Sequence, residues 1–211
     1  MSSDAAPILW DVDTQIDFVR PEGKLPVPGA PAAVPAMARV VAWARASGIV
    51  HVASADDHEL TDAEISVTPD FESTYPPHCL RGTRGAQKIP ETEQADPVPL
   101  GHVAYPPALV RSSVEGRQEI LLLKKSFDVF TSPNAEVVLD LLDPAEVVVF
   151  GVATDVCNHA AVVGLLRRGR RVVFVEDASR GLDEARTARC LADWREAGVR
   201  FTTSDRLADL S

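Results

Sequence analysis

The sequence is short of several things, and each shortage narrows the possibilities. Cysteine occurs only 3 times in 211 residues. So small and odd a count reads as free thiols rather than a disulfide framework. Basic residues are in deficit: 21 Lys and Arg stand against 31 Asp and Glu, a formal charge of −10. So acidic a chain lacks the cations that phosphate contacts need, which excludes nucleic acid as a partner, and an anionic membrane surface repels it too. No apolar run is long enough to span a bilayer. The opening Met1-Ser2-Ser3-Asp4 has neither the basic region nor the apolar core of a secretory signal, so a cytoplasmic location is expected. Proline is nearly missing from the second half, where only Pro133 and Pro144 follow Pro107. A regular second half and a first half with long, stiff, irregular loops are therefore expected.

What remains is the balance of an ordinary globular domain, 45% hydrophobic and 25% charged, in a chain long enough to bury a sizeable core. The second half alternates cleanly. Strands are predicted at Glu119–Leu123, Glu146–Val152, Arg171–Val175 and Val199–Thr202. Helices are predicted at Asn134–Leu142, Asp155–Arg168 and Asp183–Ala197, the last two followed by Gly169 and Gly198. The first half adds strands Pro7–Val12 and Ile49–Ala53 around a helix Val34–Ala46 whose Val34, Met37, Val41 and Ala44 share one face. Strands separated by such helices imply βαβ units: one α/β domain over 1–211, three-layered α/β/α, with a parallel, Rossmann-like central sheet. From Asp56 to Gln118 little periodicity is visible, which marks either a functional loop system or elements that the pattern fails to assign.

In such sheets ligands bind beyond the carboxyl ends of the strands. Four of those ends, after Val12, Ala53, Leu123 and Val152, carry reactive groups, and three of them form a set. Asp13 follows the first strand. Asp17, further along, reads as a solvated loop or cap residue. Lys124 and Lys125 end the Glu119 strand, and alternation turns one of them inward. Gly151-Val152-Ala153-Thr154-Asp155-Val156-Cys157 places a thiol in the first turn of a helix, where the N-terminal field favours the thiolate and is expected to lower its pKa. Cysteine as nucleophile, Asp13 as proton acceptor and Lys124 as neighbouring cation form a workable set for attack on a carbonyl. The N–H groups of Ala153 and Cys157 are the expected oxyanion donors, with a cis peptide expected at Val152–Ala153. Cys190 and Cys79 read as structural thiols, and His102 and His159 as ordinary histidines.

Asp13-Thr14-Gln15-Ile16-Asp17-Phe18, then Lys124 with Phe127-Asp128-Val129-Phe130, then Gly151–Cys157 resemble, in order, the three motifs of the isochorismatase-like cysteine hydrolases. The likeness runs from about Pro7 to about Thr203. Asp56-Asp57-His58, with Pro77-His78-Cys79 and Gly82-Thr83 later, is similar to the metal-binding loop of the nicotinamidase branch. The resemblance implies a metal set of Asp56, His58, Glu64 and His78, where Glu64 stands in a place that is histidine in many relatives. Two imidazoles and two carboxylates suit a borderline divalent ion: zinc first, iron or manganese next. It also implies an aromatic clamp of Phe18 and Tyr75, the second often tryptophan in nicotinamidases.

The activity implied is hydrolysis of a small amide, nicotinamide to nicotinate and ammonia, as in pyridine nucleotide salvage, by an enzyme of homo-oligomeric habit. Two other readings stand beside it. One is a related cysteine amidohydrolase for ureidoacrylate, maleamate or N-carbamoyl compounds, whose enzymes lack the metal ligands. The other is a non-catalytic metal or ligand binding module. The loops 56–118 are expected to carry metal and substrate residues, with an insert of unassigned role at about 91–118.

Overall fold

The computed structural model describes residues 6–210; the Met1–Asp4 opening lies outside them. Seven strands form one sheet in the order β3-β4-β2-β1-β5-β6-β7. They are β1 (Ile8–Val12), β2 (Val50–Asp56), β3 (Val98–Leu100), β4 (Glu119–Lys124), β5 (Glu146–Val152), β6 (Arg171–Arg180) and β7 (Arg200–Thr202). Every neighbouring pair is parallel. β1 and β5 lie at the centre and are buried on both faces, which is why β5 reads as a continuous apolar run and β1 as one broken only by the buried Asp11.

One face packs on α3 (Pro107–Val114), α4 (Pro133–Leu142), α5 (Cys157–Arg167) and α6 (Glu184–Glu196), through Trp10, Ile120, Leu139, Leu165 and Trp194. The other packs on α2 (Ala30–Ala46) through Leu9, Met37, Val40 and Phe150. A short helix, α1 (Ile16–Val19), follows β1. This is the expected three-layer, single-domain α/β fold. The strand order reverses between β1 and β5, so the crevice opens at their carboxyl ends. Gly151, at φ +125°, is required there: a Cβ would sit 2.0 Å from the Val12 carbonyl oxygen.

Three expectations need correction. The aperiodic stretch from Asp56 to Gln118 is not loop throughout, for the insert at about 91–118 carries two elements. Its β3–α3 unit extends the sheet beyond β4, and a three-residue strand containing Pro99 is too short to show a period of two. β6 runs on to Arg180, because its pairing with β5 shifts register past Val149 and resumes at Gly151–Ser179. Asp17 is buried rather than solvated. Its carboxylate accepts the Cys79 N–H at 2.7 Å and the Lys24 N–H at 3.0 Å, pinning the His78 loop to α1.

Candidate active site and metal centre

The strand ends bring Asp13, Lys124 and Cys157 together, as the sequence led us to expect. Of the two lysines ending β4, Lys124 turns inward and is 1% exposed. Its ammonium lies 2.8 Å from Asp13 Oδ2 and 3.9 Å from Cys157 Sγ, and it donates a short hydrogen bond to Asp56 Oδ1. Lys125 turns out and pairs with Asp62 at 2.9 Å. Asp13 sits at φ +49°, and its Oδ1 accepts from Ser54 Oγ at 2.7 Å. Cys157 opens α5 as its first residue. The Val152–Ala153 peptide is cis. No loop or cap hydrogen bond among the described residues uses the amide N–H of Ala153 or Cys157.

The electrostatics correct one expectation. Burial pushes the Cys157 thiol well above its ordinary range, and Asp13, Asp56 and Glu64 push it further, while Lys124 alone pulls it down. Burial and these carboxylates oppose the field of the helix N-terminus. Burial also raises Asp13, helped by the charge of Asp56 and opposed by Lys124. For Lys124, burial disfavours the charge. Asp13 and Asp56 outweigh it and hold the ammonium well above its usual range.

Beside this trio Asp56, His58, Glu64 and His78, all buried, turn one donor atom each toward a common point, within 4.8 Å of one another. His58 Nε2 lies 3.8 Å from both Asp56 Oδ2 and Glu64 Oε1. His78 Nε2 lies 3.6 Å and 3.9 Å from the same atoms. Donors about 2.0–2.2 Å from a zinc ion lie roughly 3.3–3.6 Å apart, so the spacing is near that of a metal cage. Asp56 Oδ2 and His58 Nε2 are buried without a hydrogen-bond partner, as donors to an ion would be. The other ring nitrogens are engaged: His78 Nδ1 with the Pro76 carbonyl at 2.7 Å, His58 Nδ1 with Asp62 Oδ2 at 3.2 Å. Those contacts aim both Nε2 atoms inward. Glu64 is steadied by the Phe127 N–H, 2.6 Å from Oε2. The residues present fit a divalent ion.

A narrow cleft joins the two clusters, reaching Asp56, Glu64, His78 and Cys157, and Phe18, Leu25, Val27, Tyr75, Val156 and Leu182 wall it with apolar surface. Phe18 and Tyr75 both flank His78, with ring centroids 5.2 and 6.3 Å away. Burial pushes the Tyr75 hydroxyl up to about 12, so it stays neutral. Sequence reasoning missed Asp62, Ser54 and the walls Leu25, Val27, Val156 and Leu182; none carries a signal apart from its place in the fold. His102 is exposed, and His159 stacks on Trp194 away from the cleft.

Fold and site together define an isochorismatase-family hydrolase. The chain belongs to the isochorismatase family, whose domain model matches residues 8–206. It is 30% identical over 199 residues to the nicotinamidase/pyrazinamidase of Mycobacterium tuberculosis, covering 92% of this chain and 96% of that protein. The pyrazinamidase of Pyrococcus horikoshii, solved in complex with zinc, matches with a TM-score of 0.73 at 22% identity, over 93% of this chain and 98% of that one. The N-carbamoylsarcosine amidase of Thermoplasma acidophilum matches at 0.72 and 23%, over 95% and 97%. At those identities the solved structures speak for the fold, and the substrate has to be argued from the cleft. No helix among the described residues is long and apolar enough to cross a membrane.

Proposed function

We propose that this chain is a cysteine amidohydrolase that converts nicotinamide to nicotinate and ammonia. The observation that carries the reading is the meeting, in one apolar cleft, of the Asp13–Lys124–Cys157 trio with the Asp56–His58–Glu64–His78 donor set. A divalent ion held by those four residues, zinc by preference and iron or manganese otherwise, supplies a Lewis-acid anchor for the pyridine nitrogen. Phe18 and Tyr75 hold the flat ring. Pyrazinamide, with the same ring geometry and carboxamide, is an expected second substrate. A cytoplasmic setting and a homo-oligomeric assembly belong to the same reading.

Cys157 Sγ attacks the carboxamide carbon as Asp13 takes the thiol proton; the two groups lie within 4.8 Å. A thiol held protonated until that moment suits a concerted transfer to a nearby carboxylate. The amide oxygen becomes an oxyanion on the N–H groups of Ala153 and Cys157, each donor worth about 10²–10³ in rate. The tetrahedral adduct collapses: the C–N bond breaks and Asp13 returns the proton to the leaving ammonia. Water then adds to the thioester and gives a proton to Asp13. The C–S bond breaks, the acid leaves, and the proton goes back to the sulfur. Lys124 stays charged throughout and sets the proton affinity of Asp13.

The donor set argues against the related amidohydrolases for ureidoacrylate, maleamate or N-carbamoyl compounds, whose enzymes lack the metal ligands: here four buried donors lie within 4.8 Å of one another. The apolar walls of the cleft suit a flat aromatic amide.

The test is ammonia release from nicotinamide, pyrazinamide and an N-carbamoyl amino acid, by the wild type and by Cys157→Ala. We expect turnover of the first two only, lost by roughly 10³-fold or more in the variant. Undiminished turnover by Cys157→Ala would sink the mechanism, and preference for the N-carbamoyl compound would sink the substrate assignment.

A further inference from the structure

Glu64 and Tyr75 stand at the base of an excursion, residues 66–74, closed by the Ser66 N–H on the Tyr75 carbonyl at 2.9 Å and the Tyr75 N–H on the Glu64 carbonyl at 2.8 Å. The excursion is stiff in itself. The Asp70 carboxylate accepts the N–H groups of Glu72, Ser73 and Thr74 at 2.8–2.9 Å. Its tip carries Phe71, half exposed at φ +59°, whose ring meets Tyr75 edge-on at 6.3 Å. Nothing in this local order fixes the angle at which the excursion leans over the cleft.

One long-range contact does. Arg186, in the first turn of α6, donates Nη1 to the Phe71 carbonyl at 3.1 Å and Nε to Asp155 Oδ2 at 3.1 Å. The Asp155 side chain is 0% exposed and lies two residues before Cys157. It also accepts the N–H of Leu182 at 2.7 Å and of Asp183 at 3.0 Å. A single ion pair thus meets three parts of the cleft: the tip above Tyr75, the Leu182 wall and the turn that presents the nucleophile.

We propose that Arg186 is a positioning residue that fastens the 66–74 excursion over the cleft, so that the Tyr75 wall is set before a ligand arrives. The planar guanidinium is suited to this, because it spans two acceptors at once where an ammonium has one point of charge. Fastening the wall beforehand removes an ordering cost from binding and leaves the chemical step alone. The inference rests on the amide-hydrolase reading for its kinetic part only.

The test compares the wild type with Arg186→Met, which loses both contacts, and Arg186→Lys, which keeps charge opposite Asp155. Three readouts apply: KM and kcat for nicotinamide, hydrogen exchange across 66–74, and the ratio of Cys157 alkylation by a bulky maleimide to that by iodoacetamide at fixed pH. For Arg186→Met we expect KM about tenfold higher with kcat within about twofold, faster exchange confined to 66–74, and a higher bulky-to-small ratio; Arg186→Lys falls between. Unchanged KM, exchange and ratio in a variant that melts like the wild type would overturn the proposal. Should Arg186→Met melt lower, Arg186→Lys decides: exchange gained only in 66–74 supports the fastening, and exchange spread over the sheet or unchanged overturns it. A wild type inactive on nicotinamide fails the function reading, while exchange and alkylation still judge the role of Arg186.

Discussion

Cys157 sits between opposing fields. Its place at the start of α5 favours a thiolate, and Lys124 Nζ lies 3.9 Å from the sulfur. Against them stand burial and three carboxylates, which push the thiol up despite Lys124. A free thiol is half ionised near pH ~8.5. With the thiol raised, the protonated form persists past that point, so the rate of alkylation should still be climbing where an ordinary cysteine has levelled off. Lys124→Met removes the side chain that pulls the other way and should move the profile further upward. The check is the pH dependence of iodoacetamide labelling in chelator-treated protein, read at Cys157 by mass spectrometry. A plateau reached at or below pH ~8.5 would show that the helix field wins after all. An enzyme with such a thiol relies on Asp13 to take the proton during attack, which agrees with burial raising Asp13 as well.

Among the elements, β1 carries a second buried charge that the proposed chemistry leaves idle. Asp11 lies two residues before Asp13 and meets Lys88 Nζ at 2.9 Å, His51 Nε2 at 3.2 Å and Thr14 Oγ1 at 2.8 Å. Lys88 also donates to Thr14 Oγ1 at 2.8 Å. The group pins the 87–94 segment onto the sheet, over the strand that presents Asp13. Burial disfavours the Asp11 charge, yet Lys88 and His51 hold its pKa below the ordinary value. Its stabilisation is therefore present above the unfolded carboxylate pKa and fades as pH falls through the lower folded one. Lys88→Met leaves that carboxylate without its cation and should cost about 3–5 kcal/mol at pH 7. The gap to the wild type should narrow toward pH ~4, where a now-raised Asp11 takes up a proton. Urea melts at both pH values check this, and a gap that is small or independent of pH would reject it. Elements also show what the sequence could reveal. The runs into Asp13, Lys124 and Cys157 were legible because central parallel strands are mostly apolar until they reach the crevice, Asp11 being the exception in β1. The β3–α3 edge was not, since three residues with a proline carry no periodicity. Asp17 read as a solvent group because its partner, the Cys79 N–H, lies 62 residues away and is brought to it by folding. Arg186 lies 115 residues from its Phe71 partner, and nothing local to either announces the other.

At the scale of the whole molecule the governing quantity is charge. The chain is acidic overall, at −10, and its crevice concentrates the excess. Asp13, Asp56 and Glu64 crowd around one ammonium, Lys124. Fully ionised, they leave two negative charges uncompensated in a buried place. The site answers in part by protonation: burial and the Asp56 charge raise Glu64, while Asp56 and Glu64 overcome burial to raise His58. A divalent cation at the four donors neutralises the excess directly. It also ties β2 to the loop that supplies Glu64 and His78, so binding should stabilise the fold. At a free concentration near 100 times the dissociation constant the gain is about 2.7 kcal/mol, or roughly 5–10 °C in Tm for a chain of this size. The same protons that relieve the crowded site compete with the ion, so the gain should shrink as pH falls and His58 and Glu64 hold their protons. Thermal melts of chelator-treated protein titrated with zinc, manganese or iron(II) at pH 7.5 and 5.5 test this, with His78→Ala as the control that should lose the response. A melting temperature that ignores all three metals in the wild type, or that responds equally in His78→Ala, would remove the metal from this site and the pyridine anchor with it.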